Sequence, residues 1–517
     1  MDPSPQFETP WNAMLAEAGE CLRGDGGSGS GLPVSVVGRD TLPSCFAATD
    51  LAVASIAAAG TAVAELLELS PAFRSGPSRR GITVDRRLAC GWFLRSIRPV
   101  GWTMAESWDA IAGDYRTRDG WIRLHTNAPH HRAAALAVLG CEAERPAVAR
   151  AVERVDADEL ERAILRAGGC AAAMRSLDAW RVHPQGVALR AEPLIATDRR
   201  DASATPSWRP DPRRPLAGIR VLDLTRVLAG PVATRVLAGL GADVLRIDPP
   251  DWDEPSLVPD VTLGKRCARL DLRRSADRQA FEALLARADV VVHGYRPGAL
   301  DGLAYGPARR RAINPDTVDV SLCAYGWSGP WAGRRGFDSL VQMSAGIAEA
   351  GMRWREADRP VPLPAQALDH ATGYLMAAAA IRGIGERVRD GRVLQARLSL
   401  ARTAMMLTGV GTGDVGRNGD GDVGADSDVG TGGGAGTGAD VGTDGGAGQE
   451  DRAGAQARPA APPAFTGMAD DDFDPRVEAT PWGEARRLRP PLSIGDVELR
   501  WDRPAATLGS SPARWIA

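Results

Sequence analysis

Ile219-Arg220-Val221-Leu222-Asp223-Leu224, then Ala229-Gly230-Pro231, then Val232 to Leu240 closed by Gly241, then Val244-Leu245-Arg246-Ile247-Asp248: this run decides the fold. Two short apolar segments flank a helical stretch that a proline opens and a glycine closes. About 30 residues so arranged form a βαβ unit, which makes the strands parallel through a right-handed crossover. The alternation continues with a helix over Phe281 to Ala288, a strand at Asp289-Val290-Val291-Val292-His293 and another at Val318-Asp319-Val320-Ser321-Leu322. The fold class is therefore α/β: a doubly wound, mostly parallel, Rossmann-like sheet. Its ligands are expected beyond the carboxyl ends of the strands, where the strand order reverses. Asp248, at the end of the second strand, stands where a ribose-binding acid would.

Upstream the pattern differs. Asp119-Gly120 is a hairpin turn signal before the alternating Trp121-Ile122-Arg123-Leu124-His125. Pro129 opens a helix that Gly140 stops, and Val148 to Leu165 keeps the helical period. These pieces predict a smaller α+β domain. Before it, Asp50 heads an Ala-rich helix to about Leu69, with the aspartate as its cap. The expected organisation is a flexible lead-in (1–44), an aspartate-helix and small-domain-like region (45–197), a linker (198–215), the α/β domain (216–408), a disordered Gly/Asp-rich linker (409–456) and a closing segment (457–517). Val497-Glu498-Leu499-Arg500-Trp501 alternates like a strand in that last piece.

With 517 residues the chain has length for about three domains. Lys+Arg (62) nearly balances Asp+Glu (65), so no basic field argues for nucleic acid. No uninterrupted apolar run has the length of a membrane span, because Glu65 and Glu68 break the longest, and Met1 to Glu20 lacks a signal-peptide pattern. The seven cysteines show no CxxC spacing, which fits a reducing cytoplasm. His130 and His131 have no ligand partners at metal spacing, so no metal is expected.

One further stretch stands out, Ala367-Leu368-Asp369-His370-Ala371-Thr372-Gly373-Tyr374, a lone carboxylate at the head of an Ala-rich helix. A carboxylate there is costly to bury unless it caps the helix or does chemistry. Asp50 echoes it upstream.

Its company supplies a resemblance. Leu216 to Pro231 followed by Leu240-Gly241-Ala242-Asp243-Val244, then Gly264-Lys265-Arg266 with Leu270-Asp271-Leu272, then Tyr295-Arg296-Pro297-Gly298, then Tyr325-Gly326, Gly336-Phe337-Asp338 and Val341 to Gly346, resemble in order the motifs of the family III CoA-transferases. That group holds formyl-CoA transferase, carnitine CoA-transferase and α-methylacyl-CoA racemase. The resemblance implies that Asp369 is the catalytic nucleophile, moving CoA from an acyl-CoA to a carboxylic acid through an aspartyl anhydride and an aspartyl-CoA thioester. It implies CoA contacts at Val227, Leu228, Ala229, Lys265, Arg266, Tyr295, Arg296, Pro297, Cys323 and Tyr325, with a CoA thioester as substrate and no permanently bound cofactor. It implies a cytoplasmic enzyme, as an interlocked homodimer in the family. The racemase branch pairs a histidine with the aspartate. Leu322-Cys323-Ala324, before Tyr325, holds none, and His370 adjoins Asp369 on a helix, where neighbours face apart. Transfer is thus favoured over the alternatives, a racemase or a catalytically degenerate CoA-binding protein. The order departs from the family's, since small-domain-like sequence precedes the sheet, as in a rearranged or partly duplicated member.

Overall fold

The structure, a computed structural model, describes residues 9–23, 33–75, 81–410 and 463–516. The Gly24 to Gly31 tract and nearly all of the Gly/Asp-rich linker lie outside them. Six parallel strands build the main sheet: β1 (Arg220–Leu224), β2 (Asp243–Asp248), β3 (Arg266–Arg269), β4 (Val290–His293), β5 (Val318–Cys323) and β6 (Arg392–Ser399). They lie in the order β3-β2-β1-β4-β5-β6, and Ala196–Asp201 closes the edge antiparallel to β6. The order reverses between β1 and β4, so the switch point lies between the loops that leave those strands. All four residues of β4 are buried, as expected where helices cover both faces of a parallel sheet.

The smaller α+β unit has the antiparallel strands Gly113–Arg116, Trp121–Leu124 and Ala171–Ala173. Asp119-Gly120 closes its hairpin, with Thr117 N–H donating to Gly120 O at 3.0 Å. Gly140 ends the helix Pro129–Leu139 with φ 60°, a left-handed conformation that glycine adopts without strain.

The helix Ala367–Asp390 runs through the core, buried along nearly its whole length. It lies against Ala48–Leu67 and Ala229–Gly239. Small residues permit that closeness: a Cβ on Gly373 would stand 2.5 Å from Ala229 O. Ala48–Leu67 is long and apolar enough to cross a membrane, yet it is packed inside the fold, with 17 of its 20 residues buried. The two Ala-rich helices begin alike. Ala47 (φ −74°, ψ 55°) precedes one and Gln366 (φ −76°, ψ 62°) the other, and each helix carries its aspartate as third residue.

Strands also cross between the first and last parts of the chain. Leu492–Ile494 pairs antiparallel with Ile82–Asp85, which is itself parallel to Val34–Val37. The edge strand Ala196–Asp201 pairs with β6 in the same antiparallel sense.

Four expectations need correction. The lead-in contains the helix Pro10–Arg23, which seats Met14, Ala18 and Leu22 in the core at spacings of four. The linker expected from 198 begins inside the edge strand; its charges are tolerated because Arg199 pairs with Glu386 at 2.8 Å. Val497 to Trp501 joins no sheet, and holds on instead through Arg500 N–H to Gly239 O (3.1 Å) and Trp501 Nε1 to Arg235 O (2.8 Å). The closing segment's hairpin is Phe473–Thr480 with Gly483–Leu488. Asp50 does not cap its helix, which starts at Ala48; it pairs with Arg86 at 3.0 Å.

Candidate active site

The chain leaves β1 through Thr225-Arg226-Val227 and enters the helix Ala229–Gly239. Val227 has φ 66°, a strained conformation for a β-branched residue of the kind that collects at functional sites. Its N–H donates to Glu254 Oε2 at 2.9 Å, and Glu254 is held by Arg246 Nη2 (2.5 Å) and Trp252 Nε1 (3.1 Å). The N–H groups of Ala229 and Gly230 donate to nothing among the described residues. Across the switch point, Tyr295-Arg296-Pro297 follows β4, with Arg296 exposed. Arg226 joins the two loops, its guanidinium 4.8 Å from the Trp252 ring and 5.0 Å from the Tyr295 ring. The structure thus brings Val227, Leu228 and Ala229 to one side of the switch point and Tyr295, Arg296 and Pro297 to the other.

Asp369 is the third residue of its helix and does not cap it. That role belongs to Asp338, a residue to which sequence reasoning gave no function. Asp338 Oδ2 accepts the Asp369 N–H at 2.9 Å, and Oδ1 accepts Gln342 Nε2 at 2.5 Å. Gln342 is fixed in turn by Leu363 N–H at 2.7 Å. The Asp369 carboxyl itself accepts no hydrogen bond among the described residues and is nearly buried, the residue being 6% exposed. Gly373 lies one turn on, on the same helical face, and touches Ala229 O. The helix that carries Asp369 thus crosses the amino end of the helix Ala229–Gly239 at Gly373, one turn beyond Asp369.

Asp338 and Asp369 are both buried, and Asp338 accepts the Asp369 N–H, so their neighbouring carboxyls cannot both ionise cheaply. Burial pushes Asp338 up to about 6, against the hydrogen bonds from Gln342 and the backbone that favour its charge. Burial, and then the charge of Asp338, hold Asp369 well above the ordinary carboxylate range. The two carboxyls titrate as a pair, and burial together with the charge of Asp338 favours the neutral form of Asp369.

Other predicted residues have different work. Lys265 is fully buried, with Nζ 3.0 Å from Asp223 Oδ2 and 2.9 Å from Pro231 O, so it cannot meet a ligand phosphate without abandoning Asp223. Arg266 is taken by Asp243 (2.8 Å) and Arg514 O (2.5 Å). Cys323 is buried, donating to Gly326 O at 3.1 Å, and Tyr325 meets the Ser344 hydroxyl at 3.1 Å; both are turned inward. Asp248 is buried against Arg246 at 2.9 Å and cannot take a ribose. His370, with its pKa lowered by burial to about 3, stacks on Phe93 at 5.0 Å. Phe337, next to Asp338, is covered by His125 of the small unit at 3.7 Å, nearly parallel. That contact joins residues far apart in sequence, and no local signal marks it.

Residues 216–429 match the family model described as CoA-transferase family III. The chain is 34% identical over 195 residues to the probable fatty acyl-CoA transferase Rv3272 of Mycobacterium tuberculosis, covering 35% of this chain and 49% of that protein. It is 31% identical over 197 residues to mouse succinyl-CoA:glutarate CoA-transferase (36% and 45%). It is 30% identical over 205 residues to formyl-CoA:oxalate CoA-transferase of Streptomyces coelicolor (37% and 49%). The chain thus spans about half the length of these relatives or less. Among solved structures, the crystal structure of Rv3272 aligns with 32% identity and a TM-score of 0.35, over 38% of this chain and 58% of that one.

Proposed function

We propose that this chain, whose residues 216–429 match the family III CoA-transferase model, moves CoA between an acyl-CoA and a carboxylic acid, with Asp369 as nucleophile. The observation that carries the reading is the Asp369 carboxyl: buried, accepting no hydrogen bond among the described residues, and one turn before the close crossing of its helix over the amino end of Ala229–Gly239. Such a carboxylate has its lone pairs free for attack.

Ionised Asp369 attacks the thioester carbonyl carbon. The C–S bond breaks, CoA leaves as thiolate with the electron pair, and an aspartyl–acyl anhydride remains. The thiolate attacks the aspartyl carbonyl and expels the donor's acid as carboxylate, leaving an aspartyl-CoA thioester. The acceptor carboxylate attacks that thioester, releases the thiolate and forms a second anhydride. Thiolate attack on the acceptor's carbonyl gives the new acyl-CoA and restores Asp369. In this reading the N–H groups of Ala229 and Gly230, which donate to nothing among the described residues, receive oxyanion charge, and the small exposure of Asp369 limits hydrolysis of the anhydride. Asp338 is the positioning residue: it holds the helix start and sets the charge of the nucleophile.

The test is transfer between a panel of acyl-CoA donors and carboxylic acids. Asp369→Ala is expected to remove turnover, by a factor of at least ~10³, and Asp50→Ala to keep it, since Asp50 is bound to Arg86. Equal activity of wild type and Asp369→Ala overturns the reading. Exchange of the α-proton for deuterium without CoA transfer replaces it with the racemase.

A further inference from the structure

A cleft of about 530 Å³ lies between residues 158–183 of the small unit and the loops that follow β4 and β5. That is an ordinary size for a small-molecule site. Five arginines line it, Arg162, Arg175, Arg296, Arg334 and Arg335, against two carboxylates, Asp158 and Glu161. Both carboxylates are spoken for. Arg175 Nη2 reaches Asp158 at 2.6 Å and Glu161 at 3.0 Å, and Arg334 Nη2 reaches Glu161 at 2.7 Å. Arg335 bonds only a backbone oxygen, Gly168 O at 3.2 Å, and Arg162 and Arg296 bond nothing among the described residues. Three guanidiniums without a carboxylate thus face one cleft in a chain whose net charge is −3. The floor is rigid: Trp331 lies 3.8 Å under Arg334 and 4.4 Å from the His183 ring.

We propose that this cleft binds a multiply charged anionic group, phosphate or dicarboxylate in kind, and that the first half of the chain, through Arg162, supplies one wall of the substrate site. Guanidiniums with free forks match such oxygens in pairs. The cleft opens at the carboxyl ends of β4 and β5, on the side of the sheet where the switch point lies. The inference rests on the transferase reading for the two sources of the anion: the phosphates of the CoA moiety, or the far carboxylate of a dicarboxylic acceptor.

Calorimetric titration of the full chain at low salt, with inorganic pyrophosphate, coenzyme A and succinate as probes, tests it. Arg162 and Arg296 are both exposed, so Arg162→Ser/Arg296→Ser is expected to fold as wild type and to bind at least one probe tenfold or more weakly. Loss of pyrophosphate and CoA binding with succinate unchanged identifies the CoA phosphates; loss of succinate binding identifies the acceptor acid. Binding of all three probes within twofold of wild type, or no binding by wild type at millimolar concentration, overturns the proposal. The two readings fail separately. An Asp369–CoA adduct with unchanged probe binding in the double variant sinks the cleft alone; weakened binding without an adduct sinks the transferase alone.

Discussion

At the scale of single residues the candidate site turns on Asp338 and Asp369, 31 positions apart in sequence and linked in the fold through the Asp369 N–H and an Asp338 carboxylate oxygen. The proposed reaction needs Asp369 ionised, and both burial and Asp338 oppose that. The rate of the acyl-CoA half-reaction is therefore expected to rise with pH, along a limb above the ordinary carboxylate range. Asp338→Asn removes the like charge while its side-chain oxygen still accepts the Asp369 N–H. The limb then moves to lower pH, as a pH–rate profile of the two proteins would show; an unmoved limb means that Asp338 does not set the charge of Asp369. Stability gives an independent check. A carboxyl whose pKa is raised by folding destabilises the chain as pH climbs from its unfolded pKa, near 4, towards its folded one, by about 1.4 kcal/mol for each pH unit between the two. Asp369→Asn should accordingly raise the melting temperature at pH 8, with the gain fading towards pH 4. Asp369 stands out in the sequence because a train of motifs leads to it. Asp338 stood inside the quoted Gly336-Phe337-Asp338, but capping another helix is a tertiary act with no local signature. Lys265 and Arg266 read as free cations because nothing in their own segment names Asp223 and Asp243 as partners.

At the scale of elements, the close crossing of Ala367–Asp390 over Ala229–Gly239 fixes where Asp369 stands. Gly373→Ala would press a methyl against Ala229 O and part the two helices. The expected result is a loss of about 1–3 kcal/mol of stability together with a fall in kcat larger than any change in KM. Equal kcat would mean that the crossing does not position Asp369. Lys265→Ala makes the opposite demand. If Lys265 only neutralises buried Asp223, the variant loses about 3–5 kcal/mol, measured by denaturant unfolding, while the surviving folded enzyme keeps its KM for acyl-CoA. The strands and helices of the sheet were readable because apolar runs, Pro starts and Gly stops agree there. The helix Pro10–Arg23 was passed over because a Gly/Ser tract follows it, and the edge strand Ala196–Asp201 because charges dominate its composition.

At the scale of the whole molecule, the early residues are structural parts of the domain that carries Asp369. The edge strand of the sheet, the helix Ala48–Leu67 along the helix of Asp369 and His125 over Phe337 all come from before residue 216. Arg382, in that same helix, pairs with Glu65 at 2.5 Å. A chain beginning at residue 216 is expected to lack a cooperative thermal transition and to bind a hydrophobic dye; a sharp transition would show that the sheet half folds unaided. Residues 45–201 and 367–494 share an aspartate as third residue of an Ala-rich helix, and each sends its later strand to the other's sheet. The sequence hinted at that echo, but the exchange of strands follows from topology, which composition does not encode. The most direct measurement is on the proposed nucleophile, Asp369. The full chain is incubated with an acyl-CoA, quenched in acid, digested and weighed by mass spectrometry. A CoA adduct on the peptide containing Asp369, absent in Asp369→Ala and present in Asp50→Ala, is the predicted result. Turnover with no adduct on that peptide, or an adduct that survives Asp369→Ala, would contradict it.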